Sequence, residues 1–282
     1  MSRKPRIAIV GAGNLGTALA ISLQRAGFAI SALVGRKSSM RTARALAKQL
    51  RSHATSEPAK VDADVIWFCV PDSEIAQVAQ SWAISSRGKG RVALHSSGAL
   101  SSDGLADLRR KGFAVASVHP LMTFVPGSRP ALAGVPFAIE GDPGAARVAR
   151  RIVSDLGGRS YPIRKQDKAA YHAWGTFASP LFTALLAATE QVAAAAGVKR
   201  PEIRRRMIPI LLQTLANYAQ FGAPGAFSGP IIRGDVNTVK KHLRALRGVP
   251  AAREVYIALA RAALQYLPAK NKRLLRQILD SE

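Results

Sequence analysis

The chain has 282 residues, and 48% of them are hydrophobic, which is enough apolar material for one large or two ordinary domains and excludes a disordered protein. Its single cysteine, Cys69, cannot form an internal disulfide, so we expect a reducing, cytoplasmic location. The net charge of +24 is spread evenly: residues 1–162 carry 22 Lys and Arg against 10 Asp and Glu, and residues 163–282 carry 19 against 7. This even spread, with few aromatic residues, indicates a solvated basic surface and argues against a specific nucleic-acid partner.

The first patterned stretch runs from Arg6 to Gly27 and predicts a buried strand, a glycine-rich turn and an apolar helix. Its turn has the spacing G-x-G-x-x-G, formed by Gly11, Ala12, Gly13, Asn14, Leu15 and Gly16. Gly11 makes the turn, Gly13 lets the backbone approach a pyrophosphate, and Gly16 lets the helix pack closely on the strand. The helix N-terminus then offers free N–H groups to the phosphates. The sequence therefore predicts a dinucleotide-binding turn here.

The second predicted strand, residues 28–34, is followed by the residues that bear on the choice of cofactor. An Asp or Glu usually holds a free ribose 2′-hydroxyl at this point, but the chain has no acidic residue before Glu57. Arg36, Lys37 and Ser38 stand there instead, and cations with a hydroxyl suit a 2′-phosphate. The sequence therefore predicts NADP(H) rather than NAD(H). The alternative is that Arg36 and Lys37 are ordinary surface charges.

Strand and helix patterns alternate through the rest of the first half. Strands are predicted at residues 63–70, 91–95, 114–119, 135–140 and 160–163, and helices at residues 40–50, 73–82 and 145–156. Such alternation predicts an α/β fold with a doubly wound, largely parallel sheet. Ligands in such sheets lie beyond the carboxyl ends of the strands. We therefore expect Val70 and Pro71, at one such end, to border the nicotinamide.

From residue 164 onward the strand pattern disappears. Helices are predicted at residues 168–197, 201–221, 235–246, 251–267 and 271–279, with a kink at Pro180. We therefore divide the chain into an α/β cofactor-binding domain at 1–163 and an all-α domain at 164–282. Helices as apolar as residues 169–196 need burial on more than one side, so we expect a homodimer formed through the helical domain. No stretch is long and apolar enough to predict a membrane span.

Candidate catalytic and substrate-binding residues follow two predicted strands or open the helical domain. A nicotinamide enzyme needs protein groups that position the substrate and move a proton. Lys168 and His172 are four residues apart and point from one helix face, which we expect to look into the cleft between the domains. For each candidate the alternative is a structural or solvated side chain. The candidates are His95, Ser96, Ser97, His119, Lys168, Tyr171 and His172.

Other chemistries lack their motifs. The chain has no C-x-x-C and no H-E-x-x-H, so we expect no metal site. It has no G-x-x-x-x-G-K-[ST], which excludes a P-loop enzyme.

Six motifs, spread over nearly the whole chain, resemble in order a bacterial family of NADP-dependent oxidoreductases that pairs a Rossmann-like domain with a helical domain of unknown function numbered 2520. The motifs are GAGNLG, DVIWFCVPD, HSSGALSSDGL, ASVHPLMTF, DKAAYHAW and GPIIRGD. The plan is similar to the superfamily of 6-phosphogluconate, β-hydroxyacid and prephenate dehydrogenases and pyrroline-5-carboxylate reductase. The resemblance implies a dimer with a helical C-terminal domain.

The resemblance also implies roles for single residues. His119-Pro120 resembles the His-Pro pair that binds the substrate hydroxyl in prephenate dehydrogenases. Lys168 resembles the acid/base lysine of β-hydroxyacid dehydrogenases, but His172 stands where those enzymes have an amide, and YPIRKQD replaces their glycine-rich approach to the lysine. These departures weigh against the β-hydroxyacid mechanism. The last motif makes Arg233 a candidate anion clamp.

The sequence thus predicts an NADP(H)-dependent oxidoreductase that transfers a hydride to or from a small carboxylated carbonyl, imine or alcohol. The residues expected to act on this anionic substrate are Lys168, His119 and His172 as catalytic groups and Ser96, Ser97 and Arg233 as binding groups. One alternative is a binding protein that senses NADP(H) and acts through a protein partner without turnover. Another, motivated by the charge, is a nucleic-acid-binding protein.

Overall fold

One sheet of eight strands organises the first part of the chain in the computed structural model, which describes residues 3–85 and 88–281. The strand order is β3-β2-β1-β4-β5-β6-β7-β8, and every neighbouring pair is parallel except β6 with β7. The strands are β1 Ile7–Val10, β2 Ile30–Val34, β3 His53–Thr55, β4 Val65–Phe68, β5 Val92–His95, β6 Ala114–Pro120, β7 Pro136–Gly141 and β8 Arg159–Pro162. The predicted doubly wound sheet is confirmed.

Helices lie between these strands in the chain, and another follows the last strand. They are α1 Asn14–Arg25, α2 Met40–Gln49, α3 Asp72–Ser85, α4 Ala106–Arg110, α5 Pro143–Asp155 and α6 Lys168–Thr176. The chain order reverses at β1, which lies between β2 and β4. Such a switch point opens a crevice at the carboxyl ends of the strands, where α/β proteins bind ligands.

Burial on both sheet faces explains why the strand sequences are almost wholly apolar. Side chains alternate between the faces along a strand. Ile7 and Ile9 of β1 therefore enter one hydrophobic cluster, and Ala8 and Val10 enter the other. All four are at most 4% exposed. Removing apolar area of this kind from water is the main favourable term for the fold.

Two features of the sheet differ from what the sequence pattern indicates. The short strand β3 is not predicted, because His53, Ala54 and Thr55 carry no apolar run; pairing with β2 makes it a strand. The β6–β7 pair is antiparallel, since the segment 121–135 joins them without a crossover helix.

The chain divides into two compact units, the first ending at Phe177 and the second starting at Ala178. The sequence placed the boundary at 163/164, before α6. Helix α6 belongs to the first unit because Lys168 and Tyr171 are buried there. A π-helical turn at Phe177–Leu181 follows α6 and contains Pro180, where the kink was predicted. Proline removes a backbone donor, and wide turns of this kind accommodate the loss.

The second unit is helical throughout its regular elements. Its helices are α7 Phe182–Ala195, α8 Arg200–Ala226, α9 Pro230–Arg233, α10 Val236–Ala245, α11 Pro250–Tyr266 and α12 Lys272–Asp280. Helices α10, α11 and α12 supply the buried residues of its hydrophobic core. Helix α8 is kinked at Gly222, where φ is +67°. Within residues 3–85 and 88–281, no helix combines the length and apolarity needed to cross a bilayer.

Candidate cofactor and active site

The glycine turn leaves β1 and opens α1 as the G-x-G-x-x-G spacing predicts. Gly11 has φ +100°, and a Cβ there would lie 2.5 Å from the carbonyl oxygen of Cys69. A Cβ on Gly16 would lie 1.9 Å from the carbonyl oxygen of Gly11, so only glycine lets α1 pack this closely. A Cβ on Gly13 would meet no atom within 4 Å.

That open space at Gly13 lies where α1 begins. Gly13 is the N-cap of α1 and supplies no side-chain cap, so the first N–H groups of the helix have no intrahelical partner. Unsatisfied N–H groups and the positive end of a helix bind phosphate. Asn14 donates from Nδ2 to the carbonyl oxygen of Phe124 at 3.3 Å, and Ala12 accepts from the Thr17 hydroxyl. Residues 11–16, including Leu15 in the first turn, therefore fit a pyrophosphate.

The residues after β2 present cations, but one of them is already paired. Arg36 donates from Nη1 to Oε1 of Glu74, in the first turn of α3, at 2.9 Å. Lys37 and Ser38 are exposed in a 3-10 turn at Lys37–Ser39. Lys37 also lines a depression beside β3 together with Arg44, His53 and Lys60. The sequence did not single out Arg44 or Lys60, because α2 and the segment after β3 read as ordinary basic surface.

The segment after β4 lies at the carboxyl ends of the strands, as the glycine turn does. Val70 packs against a hydrophobic cluster of the sheet, and its Cγ1 is 3.1 Å from the position a Cβ on Gly11 would take. Pro71 is exposed and precedes α3. Val70 therefore lies beside the glycine turn, and the expectation that Val70 and Pro71 border the nicotinamide stays a prediction.

His95, at the end of β5, is a structural histidine in this fold. Its ring is 0% exposed, with Nε2 2.9 Å from the carbonyl oxygen of Ser101 and Nδ1 accepting from the Ser97 N–H. Both ring nitrogens thus have backbone partners. Burial lowers the pKa of His95 to about 4.

The hydroxyls of Ser96 and Ser97 have protein partners too. Ser96 accepts from the Trp67 indole N–H at 2.8 Å. Ser97 donates to Asp72 at 2.7 Å and accepts from the backbone N–H groups of Ala99 and Leu100. These bonds hold the loop after β5 in place. The side chains predicted to bind substrate therefore also set the shape of this loop.

Lys168 is the most buried cation of the site, at 1% exposure. Its Nζ donates to the hydroxyl of Ser117 at 2.7 Å and to the carbonyl oxygen of Ser97 at 3.1 Å. Burial lowers its pKa to about 8, against the attraction of Glu140 and Asp72. The lysine thus ties α6 to the ends of β5 and β6.

His119, near the end of β6, has one nitrogen bonded and one turned toward a glycine. Nδ1 is 2.9 Å from the hydroxyl of Tyr171, and the two rings meet edge to face. Nε2 is 2.8 Å from where a Cβ on Gly98 would stand, and the exposed ring of His172 is 2.7 Å from the same point. Gly98 therefore makes room for both histidines.

Electrostatics keep this histidine neutral and its partner protonated. Burial, with the positive charge of Lys168 nearby, lowers the pKa of His119 to about 4. Burial raises the pKa of the Tyr171 hydroxyl above its usual range. His119 is therefore a neutral imidazole at pH 7, held by Tyr171. Tyr171 lies in α6 three residues after Lys168. This spacing is the signal in the sequence that Tyr171 lies on the same helix face as Lys168.

The structure brings together the candidates of the first unit along one sheet edge. Neighbouring strands lie about 4.8 Å apart, so β6, three strands from β1, runs about 14 Å from the glycine turn. A molecule bound at the turn reaches His119 only if it is extended along this edge. Arg233, the remaining candidate, is exposed at the last residue of α9 in the second unit.

Comparisons with known proteins agree with this architecture. A model described as a Rossmann-like domain matches residues 2–120, and the model of the domain of unknown function DUF2520 matches residues 135–263. Among curated proteins, no significant match is found.

Solved structures share the fold over nearly the whole chain. A protein from Bacteroides fragilis with the provisional name NADP oxidoreductase is 25% identical, with a TM-score of 0.77 over 92% of this chain and 97% of that one. A reductive aminase from Aspergillus terreus, solved with NADPH and ethyl-5-oxohexanoate, is 17% identical, with a TM-score of 0.65 over 93% and 94%. A pyrroline-5-carboxylate reductase from Coxiella burnetii is 15% identical, with a TM-score of 0.60 over 93% and 96%. The chain thus matches a Rossmann-like domain followed by a DUF2520 domain, which is the pairing that its six motifs predict.

Proposed function

We propose that the protein is an NADP(H)-dependent oxidoreductase that transfers a hydride to or from a small carboxylated carbonyl, imine or alcohol. The observation that carries this proposal is that the open space at Gly13 and the histidine pair at Gly98 both lie at the carboxyl ends of strands of one sheet. The provisional name of the Bacteroides fragilis structure and the NADPH complexes of the reductive aminase support the same cofactor.

The chain's own residues would hold the two ends of the cofactor. Residues 11–16 would hold the pyrophosphate, and Arg36, Lys37 and Ser38 the 2′-phosphate, since two cations and a hydroxyl suit a phosphate dianion. Val70 and Pro71 would border the nicotinamide end. The bound cofactor supplies the hydride, and the protein supplies position and proton transfer.

At the substrate, His119 would bind the reacting oxygen or nitrogen through Nε2, and His172, whose ring lies beside that of His119 over the same point of Gly98, would contact it as well. A neutral His119 is a hydrogen-bonding group and not a fixed charge, and Tyr171 fixes its ring. Lys168 would position these groups. Its Nζ holds the loop after β5 through the carbonyl oxygen of Ser97, and its positive charge helps to keep His119 neutral. Arg233 is proposed as the clamp for the substrate carboxylate.

A homodimer formed through the helical unit belongs to the same proposal. Helix α8 exposes six large apolar side chains, each 48–68% accessible: Ile208, Ile210, Leu212, Leu215, Tyr218 and Phe221. A helix that exposes this many large apolar side chains favours burial against a partner, and a second copy of the chain would supply that partner.

The proposal is tested by NADPH binding followed by a turnover assay. We expect wild type to bind NADPH more tightly than NADH and to oxidise NADPH with some member of a panel of 2-keto acids and cyclic imines. His119→Asn should lower kcat/KM by roughly a hundredfold or more, as loss of an acid–base group does, while NADPH binding stays within about twofold.

His242→Asn, in the second unit, is the matched control and should keep wild-type turnover. Absence of NADPH binding at saturating concentration would reject the proposal. NADPH binding with no turnover on any substrate would favour the sensing protein instead. Full activity in His119→Asn would place the chemistry on other residues.

A further inference from the structure

The ion pair between Arg36 and Glu74 joins the two segments that flank the glycine turn. Arg36 follows β2, and Glu74 lies in the first turn of α3, which follows β4. Strands β2 and β4 are the two neighbours of β1, whose end carries the turn. The 2.9 Å contact therefore bridges the switch point at its open edge.

This bridge lies where the adenosine half of a dinucleotide goes. With the pyrophosphate at the N-terminus of α1, the adenosine ribose reaches the end of the strand that precedes Arg36. The 2′-phosphate and the Glu74 carboxylate then need the same guanidinium. Two anions on one exposed cation repel each other, so both cannot keep full contact with it.

The two side chains differ in their freedom to move. The Arg36 side chain is 68% exposed, whereas that of Glu74 is 26% exposed. Glu74 is further favoured in place by the positive N-terminal end of α3. The arginine is therefore the mobile partner and the carboxylate the fixed one.

We propose that Glu74 tunes the preference for NADP(H): its carboxylate neutralises Arg36 in the free protein, and the cofactor's 2′-phosphate displaces it. This inference rests on the proposed cofactor. Breaking the pair opposes NADPH binding and favours NADPH release. NADH carries no 2′-phosphate and leaves the pair in place, so Glu74 narrows the gap between the two affinities.

The test is calorimetric titration of NADPH and NADH into four proteins: wild type, Glu74→Gln, Arg36→Ala and the double variant. An exposed ion pair contributes little, so Glu74→Gln should tighten NADPH by roughly twofold to fivefold. NADH affinity should change by less than about 1.5-fold. In the Arg36→Ala background, Glu74→Gln should tighten NADPH by less than it does when Arg36 is present, because the competition for the guanidinium is gone and only direct repulsion between the two anions is relieved.

Glu190→Gln is the matched control, because Glu190 forms a similar Arg–Glu pair with Arg204 at 3.0 Å in the second unit. It changes the net charge by the same amount and should leave both affinities unchanged. The proposal is overturned if Glu74→Gln leaves NADPH binding unchanged or weaker, or if an equally large gain appears with NADH, in the Arg36→Ala background or with Glu190→Gln. Failure of wild type to bind NADPH would instead reject the cofactor itself, so the two failures are distinguishable.

Discussion

Two histidines at neighbouring strand ends have different surroundings in the fold. His95 has backbone partners on both nitrogens, whereas His119 has Tyr171 on one nitrogen and faces Gly98 with the other. Both follow apolar strand residues and precede small or turn-forming residues, so their local sequences are alike. The difference arises from long-range partners such as Tyr171, which is 52 residues from His119 in the chain. Residue type and strand end predict candidates, and only packing separates the structural histidine from the proposed catalytic one.

The buried His95 predicts acid sensitivity of the first unit. Its pKa falls from an ordinary value of 6.5 to about 4, so the unfolded chain binds more protons between these pH values. His95 therefore stabilises the fold above pH 6.5, and this contribution is lost as the pH falls toward 4. His95→Asn should cost on the order of 1–3 kcal/mol at pH 7 through lost hydrogen bonds and should make unfolding less dependent on pH between 4 and 6.5.

Urea unfolding at several pH values, followed by tryptophan fluorescence, measures this. All three tryptophans of the chain, Trp67, Trp82 and Trp174, lie in the first unit and report on it. His53→Asn, at an exposed histidine, is the control and should keep the wild-type profile. An unchanged pH slope in His95→Asn would contradict the assignment.

At the scale of elements, the sequence predicts what local patterns encode. Apolar runs predict β1 and β4 because both faces of those strands are buried, and Pro180 predicts the break after α6 because proline lacks an N–H. Local sequence does not predict strand β3, which forms by pairing with β2, or the direction of β7, which is set by pairing with β6. The glycine turn is predicted in position and in spacing, because Gly11 and Gly16 each answer a steric demand of the fold and Gly13 leaves open space where α1 begins.

Two glycines of this turn should separate folding from cofactor binding. A methyl group on Gly13 meets nothing within 4 Å, so Gly13→Ala should fold at a cost of about 1 kcal/mol, as for a poorer N-cap. It should nevertheless weaken NADPH binding by roughly tenfold or more, because the methyl group occupies the phosphate's space. Gly16→Ala places a Cβ 1.9 Å from a carbonyl oxygen and should instead destabilise the first unit strongly.

Unfolding midpoints and NADPH titrations of the two variants test the distinction. Each variant is the control for the other, since both add one methyl group within three residues. Equal losses of stability would show that the space at Gly13 belongs to the fold, and unchanged NADPH affinity in Gly13→Ala would show that the phosphate lies elsewhere.

At the scale of the molecule, charge and apolar surface are distributed differently. The charge of +24 is shared evenly along the chain and supports long-range attraction of anionic cofactor and substrate. The exposed apolar side chains, in contrast, are concentrated in the second unit on α8. Helix α8 spans 27 residues and buries only Ile203 among them. Helix α8 therefore presents an apolar surface that a partner could cover.

The proposed homodimer predicts that lysines on α8 produce monomers. Leu212 and Leu215 are 62% and 52% exposed. Burying a leucine side chain fully contributes about 1.5–3 kcal/mol, so burying the exposed parts of both leucines stabilises an interface by several kcal/mol in a dimer, which contains four such side chains. Wild type should therefore sediment as a dimer in analytical ultracentrifugation. The double variant Leu212→Lys/Leu215→Lys should sediment as a monomer at the same concentration, since a lysine ammonium is costly to bury unpaired.

The matched control uses the same chemistry on the first unit. Ile84, at the end of α3, is 82% exposed, and Ile84→Lys adds one exposed lysine, half the charge added by the double variant, while leaving the sequence of α8 unchanged. This variant should remain a dimer if α8 forms the interface. A monomeric wild type would contradict the proposal outright, whereas dissociation of Ile84→Lys alone would move the interface to the first unit. Because α8 gains its partner only in the dimer, its unfolding should also depend on protein concentration in wild type and lose that dependence in the double variant.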